Sequence, residues 1–263
     1  MPKWNNAPLY YTVAQVQFNP ILNLDSYLPA IQSKMREAHF PDYRHEVVQR
    51  LVLPFLGGES NQGAAPTVGS QSRYTFGDID GRTSFLLESS TLSLQTTAYD
   101  TFEIFASALL RGLSILHEAI HLDFVDRIGL RYLDAVLPIN EGDTLQNLLV
   151  PEVLGHSHNG QGQLQQSVSE TISITSAGQL VARVIIRHGR IGLPTELAAL
   201  APAIAPDFAQ REGLHAIVDT DAFFARREIF DLAKIEDRLT SLHDEIMKSF
   251  RATVTPQAEA AWA

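Results

Sequence analysis

Residues 117–121 read His-Glu-Ala-Ile-His, a match to the zinc-hydrolase string H-E-x-x-H. The chemistry of that string is specific. Two histidines four apart on a helix turn both imidazoles toward one ion, and the glutamate between them polarises a metal-bound water as general base. His117 and His121 would be the ligands and Glu118 the base. A third ligand must come from downstream, where Asp123, Asp126, Glu141 and Glu152 carry suitable oxygens. A zinc-dependent hydrolase or peptidase is one reading of the chain.

A second constellation follows at once, Arg127-Ile-Gly-Leu-Arg-Tyr132. On a strand, alternate residues share a face. Ile128, Leu130 and Tyr132 then point one way, and Arg127, Gly129 and Arg131 the other. Two guanidinium groups flanking a glycine gap could grip a phosphate or carboxylate. Asp219 and Asp221 also share a strand face, and they could instead pair with these arginines across a sheet. The ion-pair network is the preferred reading of the four. If they do form a binding site, its partner is a protein or a small anion.

Weaker motifs have simpler explanations. His156-Ser157-His158 brings two imidazoles together in a polar stretch that reads as a solvated loop. Asp78-Ile79-Asp80-Gly81 opens like a calcium loop but lacks the later acidic ligands, so it reads as a β-turn. The sequence carries no Ser/His/Asp order, glycine-rich phosphate loop or dinucleotide fingerprint.

The elements that must hold these residues are legible from periodicity. Strands are expected at Tyr11 to Phe18, Glu46 to Phe55, Arg73 to Gly77, Thr83 to Glu88, Leu92 to Thr96 and Phe124 to Val136. A loop is expected from Gly57 to Ser72, and another from Gly155 to Gly162. Helices are expected from Leu24, from Thr101, over Leu145 to Leu154, and over Ile229 to Phe250. Ser167 to Thr175 and Leu180 to Arg187 form a hairpin about Ser176-Ala177-Gly178, and Gly213 to Asp221 is a strand. Residues 191–212, rich in Pro and Ala, read as an insertion.

Two segment pairs suggest a repeat. LSILHEAI at 113–120 resembles LTSLHDEI at 239–246, and VQFNPILNLDSYLPAI at 16–31 resembles DAVLPINEGDTLQNLL at 134–149. The fold expected is α+β, built from duplicated β-α-β-β-β-α units. They would form a curved, mostly antiparallel sheet backed by helices on one face. The halves are 1–122 and 123–263, packed as one domain.

The repeat bears on the zinc string. Met247 aligns with His121, so Leu, His, an acid and Ile read as shared helix grammar. His121-Leu122-Asp123-Phe124 looks like an exit into the next strand, which would swing His121 away from His117. A histidine in the last helical turn also suits the helix dipole. The reading preferred is therefore no metal and no cofactor, with zinc as the alternative.

Composition narrows the classes. The 263 residues carry a net charge of −10, against general nucleic-acid binding, which needs a basic surface. There is no cysteine, hence no disulfide and no thiolate chemistry, as in a reducing cytoplasm. No apolar run reaches membrane-span length, and the first residues lack a signal-peptide core.

The stretches VAQVQFNP, LSLQTTAYDTFEIF, RIGLRYLDAVLP, AIVDTDAFF and LTSLHDEIMKSFRATVTPQAEAAW, taken together, resemble a group of sporadically distributed bacterial and archaeal proteins of unassigned activity. The likeness spans nearly the whole chain, with RIGLRY the most specific piece. The resemblance implies no catalytic residues, and H-E-x-x-H is not a hallmark of the group. Its scattered distribution is like that of genome-defence genes. The functional expectation is a non-enzymatic binding or regulatory protein, with a homo-oligomer pairing exposed strand edges as a further reading.

Overall fold

A computed structural model describes residues 6–52, 67–138, 142–158, 164–199 and 201–263. The chain runs β1 (Leu9–Phe18), a 3-10 turn, α1 (Leu28–Glu37), then β2 (Asp42–Val52), β3 (Thr67–Gly77), β4 (Thr83–Glu88) and β5 (Thr91–Thr96). Next come α2 (Phe102–Ile120) and β6 (Phe124–Val136), followed by the one-turn helices α3 (Leu145–Leu148) and α4 (Pro151–Leu154). The hairpin β7 (Gln166–Ile174) and β8 (Gln179–Arg190) leads through one-turn helices α5 (Thr195–Ala198) and α6 (Pro206–Ala209) to β9 (Glu212–Phe224). Short β10 (Glu228–Ile229), α7 (Leu232–Thr253) and α8 (Pro256–Trp262) complete it.

Among the described residues the strands form one ten-stranded sheet, in the order β2-β3-β4-β5-β1-β6-β9-β8-β7, with β10 beside β6. Each of its pairings is antiparallel. The fold is therefore α+β, as the periodicity predicts. β1 and β6 meet at the centre, and each half extends outward from its own first strand.

The long helices form where the sequence caps and patterns them. In α7, Ile235, Leu239, Leu242, Ile246 and Phe250 recur at helical spacing and are buried, and Asp231 caps the start by accepting from the N–H of Ala233 and of Lys234. In α2, Phe105, Leu109, Leu113 and Leu116 face the sheet. Gly112 lets that helix press close, because a Cβ there would come within 2.4 Å of the Phe85 ring. Among the described residues, no helix is long and apolar enough to cross a membrane.

Several expectations need correction. The strand β3 already begins at Thr67, so Thr67–Ser72 is not loop; residues 53–66, which hold the rest of the expected loop and the end of the second strand, lie outside the described residues. The first half has four strands between its helices rather than three, because β2 to β5 are all separate strands. The helix over Leu145 to Leu154 is two single turns, since Pro151 has no N–H to continue the first and starts the second. Of the loop expected from Gly155 to Gly162, Gly155–His158 is a 3-10 turn and the remainder lies outside the described residues.

Helices on one face are also only half the arrangement. α2 and α7 cover one side, packing against Leu94, Leu130, Tyr132 and their neighbours. On the other side lies a smaller core of Tyr10, Tyr11, Leu133, Ala135 and Ile217. Ile191, Leu193, Leu197, Ile204 and Phe208, from the stretch read as an insertion, cover it. That segment is a lid on an apolar sheet face that water would otherwise reach.

Candidate functional site

The strand β6 carries two chemically different faces. On its outer face, away from the long helices, the arginine motif alternates as the sequence requires. Arg131 Nε and Nη2 donate to the two oxygens of Asp219 at 2.7 and 2.8 Å, a bidentate pair. Arg131 Nη2 also donates to Glu196 at 3.0 Å. Arg183 of β8 donates to Asp219 at 2.8 Å and to Glu170 of β7 at 2.6 Å. Asp219 is 1% exposed, so these bonds compensate a carboxylate held out of water.

The other two residues of the quartet behave differently. Arg127 lies over the Phe223 ring at 4.3 Å and donates to Gln15 Oε1 at 3.4 Å. Its guanidinium leans across Gly129, where a Cβ would approach Arg127 Nη1 to 2.9 Å. Asp221 stands opposite Arg131 in the register but makes no side-chain hydrogen bond to a described residue. Burial raises its pKa, and the charges of Arg127 and Arg131 oppose that rise. A hollow of about 170 Å3 lies between Arg127, Gly129, Arg131, Asp221 and Leu197. The structure thus brings all four residues together, with Arg131 and Asp219 locked in the ion-pair network and Arg127 the freer cation. Arg183, Glu170 and Glu196 were not foreseen, because strand register and the path of residues 191–212 select them.

The zinc string is laid out as follows. Helix α2 ends at Ile120, and His121 takes the left-handed conformation with φ 52° while its N–H still donates to His117 O at 2.9 Å. His121 is exposed, whereas His117 stacks on Phe230 with ring centres 4.5 Å apart. The two imidazoles are 5.9 Å apart, centre to centre, and nearly perpendicular. Glu118 accepts from Ser114 at 3.3 Å. Asp126 is held by Arg227 through two bonds, and Asp123 accepts from the Asn19 amide. Glu141 and the side chain of His158 lie outside the described residues. Among the described residues, no three His, Asp or Glu side chains gather as a metal site would require.

The inner face of β6 holds a site the motifs did not announce. Continuing the alternation past Tyr132 brings Asp134 onto the helix-facing side, between the core that ends at Tyr132 and the one that resumes at Val136. The neighbouring strand begins there. Leu9 pairs with Asp134 and Tyr11 with Leu133, so Tyr10 is an extra residue, a bulge that turns both tyrosines to the outer face. The gap left on the inner side is a cavity of about 430 Å3. Its walls come from the entry to β1 (Ala7, Pro8, Leu9), the start of α2 (Tyr99 to Glu103), β6 (Tyr132, Asp134) and one face of α7 (His243, Met247, Phe250).

Polar groups converge in it. The Tyr99 and Tyr132 hydroxyls are 2.9 Å apart, and Tyr132 Oη lies 3.0 Å from His243 Nδ1. The His243 ring stacks on Phe102 at 4.2 Å. Burial lowers the His243 pKa, with Asp244 and Glu103 opposing, and so favours the neutral imidazole. Burial pushes the Tyr99 hydroxyl up to about 12. Asp134 is 6% exposed, and burial alone raises its pKa to about 8, with no hydrogen bond or ion pair to a described residue to counter it. Burial thus favours the protonated form of an acid that faces a hollow.

No protein-family model matches the chain, and no curated protein matches it in sequence.

Proposed function

We propose that the chain is a non-enzymatic ligand-binding protein, with its binding site in the cavity around Asp134. One observation carries the reading. An acid nearly sealed from water beside a cavity of about 430 Å3, with no hydrogen-bond partner among the described residues, is costly to hold there. A molecule that fills the cavity and supplies the missing partner recovers that cost. The size of the cavity, its apolar walls and its few convergent polar groups are the features of small-molecule sites. The test is a fragment set observed by ligand-detected NMR, repeated on Thr240→Trp, which places an indole at the cavity mouth. Fragments that bind the wild type and lose contact with the variant support the site; the same fragments binding both place the ligand elsewhere.

The outer face supports less. Anion capture there would rest on Arg127, since Arg131 is already shared between Asp219 and Glu196. The hydrolase reading needs both histidines on the helix, and His121 has left it.

Duplication of an ancestral half belongs to the same proposal. β9-β8-β7 extends from β6 in the sense in which β5-β4-β3 extends from β1. The aligned histidines also make reciprocal contacts: His117 of α2 stacks on Phe230 just before α7, and His243 of α7 stacks on Phe102 at the start of α2. Membership of the sporadic bacterial and archaeal group, a cytoplasmic location and a regulatory role in genome defence rest on the sequence resemblance and the missing cysteine. A homo-oligomer has one observation in its favour. The edge strand β7 exposes Val168, Ile172 and Ile174, which a second copy could cover by strand pairing. Sedimentation at micromolar concentration checks it, with a monomer counting against it.

A further inference from the structure

We infer that the hollow beside Gly129, on the outer face of the sheet, binds a small zwitterionic amino acid, its carboxylate on Arg127 and its ammonium group on Asp221. This site is separate from the Asp134 cavity and stands whether or not that cavity takes a ligand.

Strand register makes the hollow. Gly129 has Gln15 of β1 on one side and Phe223 of β9 on the other. The next row on the same face is Val13, Arg131 and Asp221. Gly129 has no side chain to fill its place, and the Arg127 guanidinium leans into it over the Phe223 ring. Arg131 turns away from its own row, because Asp219 takes both Nε and Nη2. Space is left between the two arginines, with Leu197 of α5 at its wall. At about 170 Å3 it suits several waters or one small organic molecule.

The ion-pair network leaves one cation and one anion over. Arg131 and Arg183 are shared among Asp219, Glu196 and Glu170. Arg127 reaches no carboxylate among the described residues; its one side-chain hydrogen bond is the long one to Gln15. Asp221 is partly buried and accepts no hydrogen bond from a described residue. The charges that act on Asp221 are those of Arg127, Arg131, Asp219 and Arg183, all described side chains.

The ligand class follows from the signs. An anion alone meets Arg127 but faces Asp221 across the same hollow. A cation alone meets Asp221 but faces Arg127. A molecule bearing both charges answers both residues and leaves the net charge of the site unchanged. The guanidinium offers a carboxylate parallel N–H donors, and the Asp221 oxygens accept ammonium protons. An α-amino acid carries its two charged groups on one carbon, so both fit within a small hollow. Val13 and Leu197 give a short side chain an apolar wall, and the volume leaves no room for a long one. No covalent bond forms.

The experiment titrates the isotope-labelled full chain, followed by amide chemical shifts, with three probes: alanine, propionate and ethylamine. Propionate is alanine without its ammonium group, and ethylamine is alanine without its carboxylate. The expected result is alanine binding about tenfold or more above either, with the largest shifts at Gly129 and Asp221. Asp221→Asn should bring alanine down to the level of propionate, and Arg127→Gln should bring it down to the level of ethylamine. Neither substitution touches the Arg131–Asp219 pair, and circular dichroism confirms that each variant is folded. The three probes on the wild type decide the question even if one is not. Propionate or ethylamine binding as tightly as alanine would overturn the zwitterion assignment. So would alanine binding unchanged in both variants, or no shift with any of the three, which would mean that the hollow holds only water.

Discussion

The two faces of β6 alternate residue by residue along one strand, yet the charges on one face are largely answered and the acid on the other finds no partner among the described residues. Outward, Arg131, Asp219, Arg183, Glu170 and Glu196 form a chain of bonds between 2.6 and 3.0 Å. Inward, Asp134 meets no described partner. Both faces hold a buried acid, so burial of an ionisable group does not by itself mark a functional site. What separates them is satisfaction. A saturated cluster stabilises architecture, whereas an unsatisfied acid beside a hollow carries a standing cost that a ligand can remove.

That contrast can be broken most forcefully on the outer face. Arg131→Ala should destabilise the fold by about 3–5 kcal/mol, because Asp219 keeps its burial and only Arg183 remains to pair with it. Urea unfolding reads this directly. A loss below ~1 kcal/mol would show that the network is not structural, and would return Arg131 and Asp219 to candidacy as binding residues.

The inner face should respond in the opposite direction. Asp134 titrates at about 8 where an unburied aspartate titrates at 3.8. A raised folded value reverses the usual carboxylate sign. Its contribution is complete below 3.8, is lost as pH rises toward 8, and is level beyond. Asp134→Asn removes the titration, so the variant should be more stable than wild type at pH 9, by on the order of 3 kcal/mol. The unpartnered amide offsets part of the full linkage. The advantage should shrink steadily toward pH 4. Urea midpoints at pH 4, 6 and 9 measure it, and equal midpoints at pH 9 would mean that Asp134 is solvated or paired.

The smallest effect sharpens the reading of the zinc string, at the near end of the same strand. His121 holds φ 52° at the end of α2, a conformation glycine adopts without strain. His121→Gly should raise stability by roughly 0.5–1 kcal/mol, seen as a small increase in thermal midpoint. A marked loss would give that imidazole a role the helix end does not explain.

Much of this could be read before the fold was known. The exit from the helix at 121 follows from the change of period after Ile120, and the outward placement of Arg127, Gly129 and Arg131 from strand alternation. The pairing of Arg131 with Asp219 was among the sequence's own options. The signal for Asp134 was present too: Ile128, Leu130, Tyr132, Asp134 and Val136 are in phase, so an acid sits in the middle of a buried stripe. His243 was visible only as the counterpart of His117 in a repeated helix pattern.

By itself, the sequence determined local conformation and which side of each element would be buried, because both depend on spacing within a few residues. It also set the composition of every candidate cluster. Only the tertiary structure decided which polar groups would find partners. Satisfaction depends on register between strands far apart in the chain, as when Arg131 stands opposite Asp221 but bonds to Asp219. It depends equally on the bulge at Tyr10, which leaves a hollow beside Asp134 that no local pattern encodes.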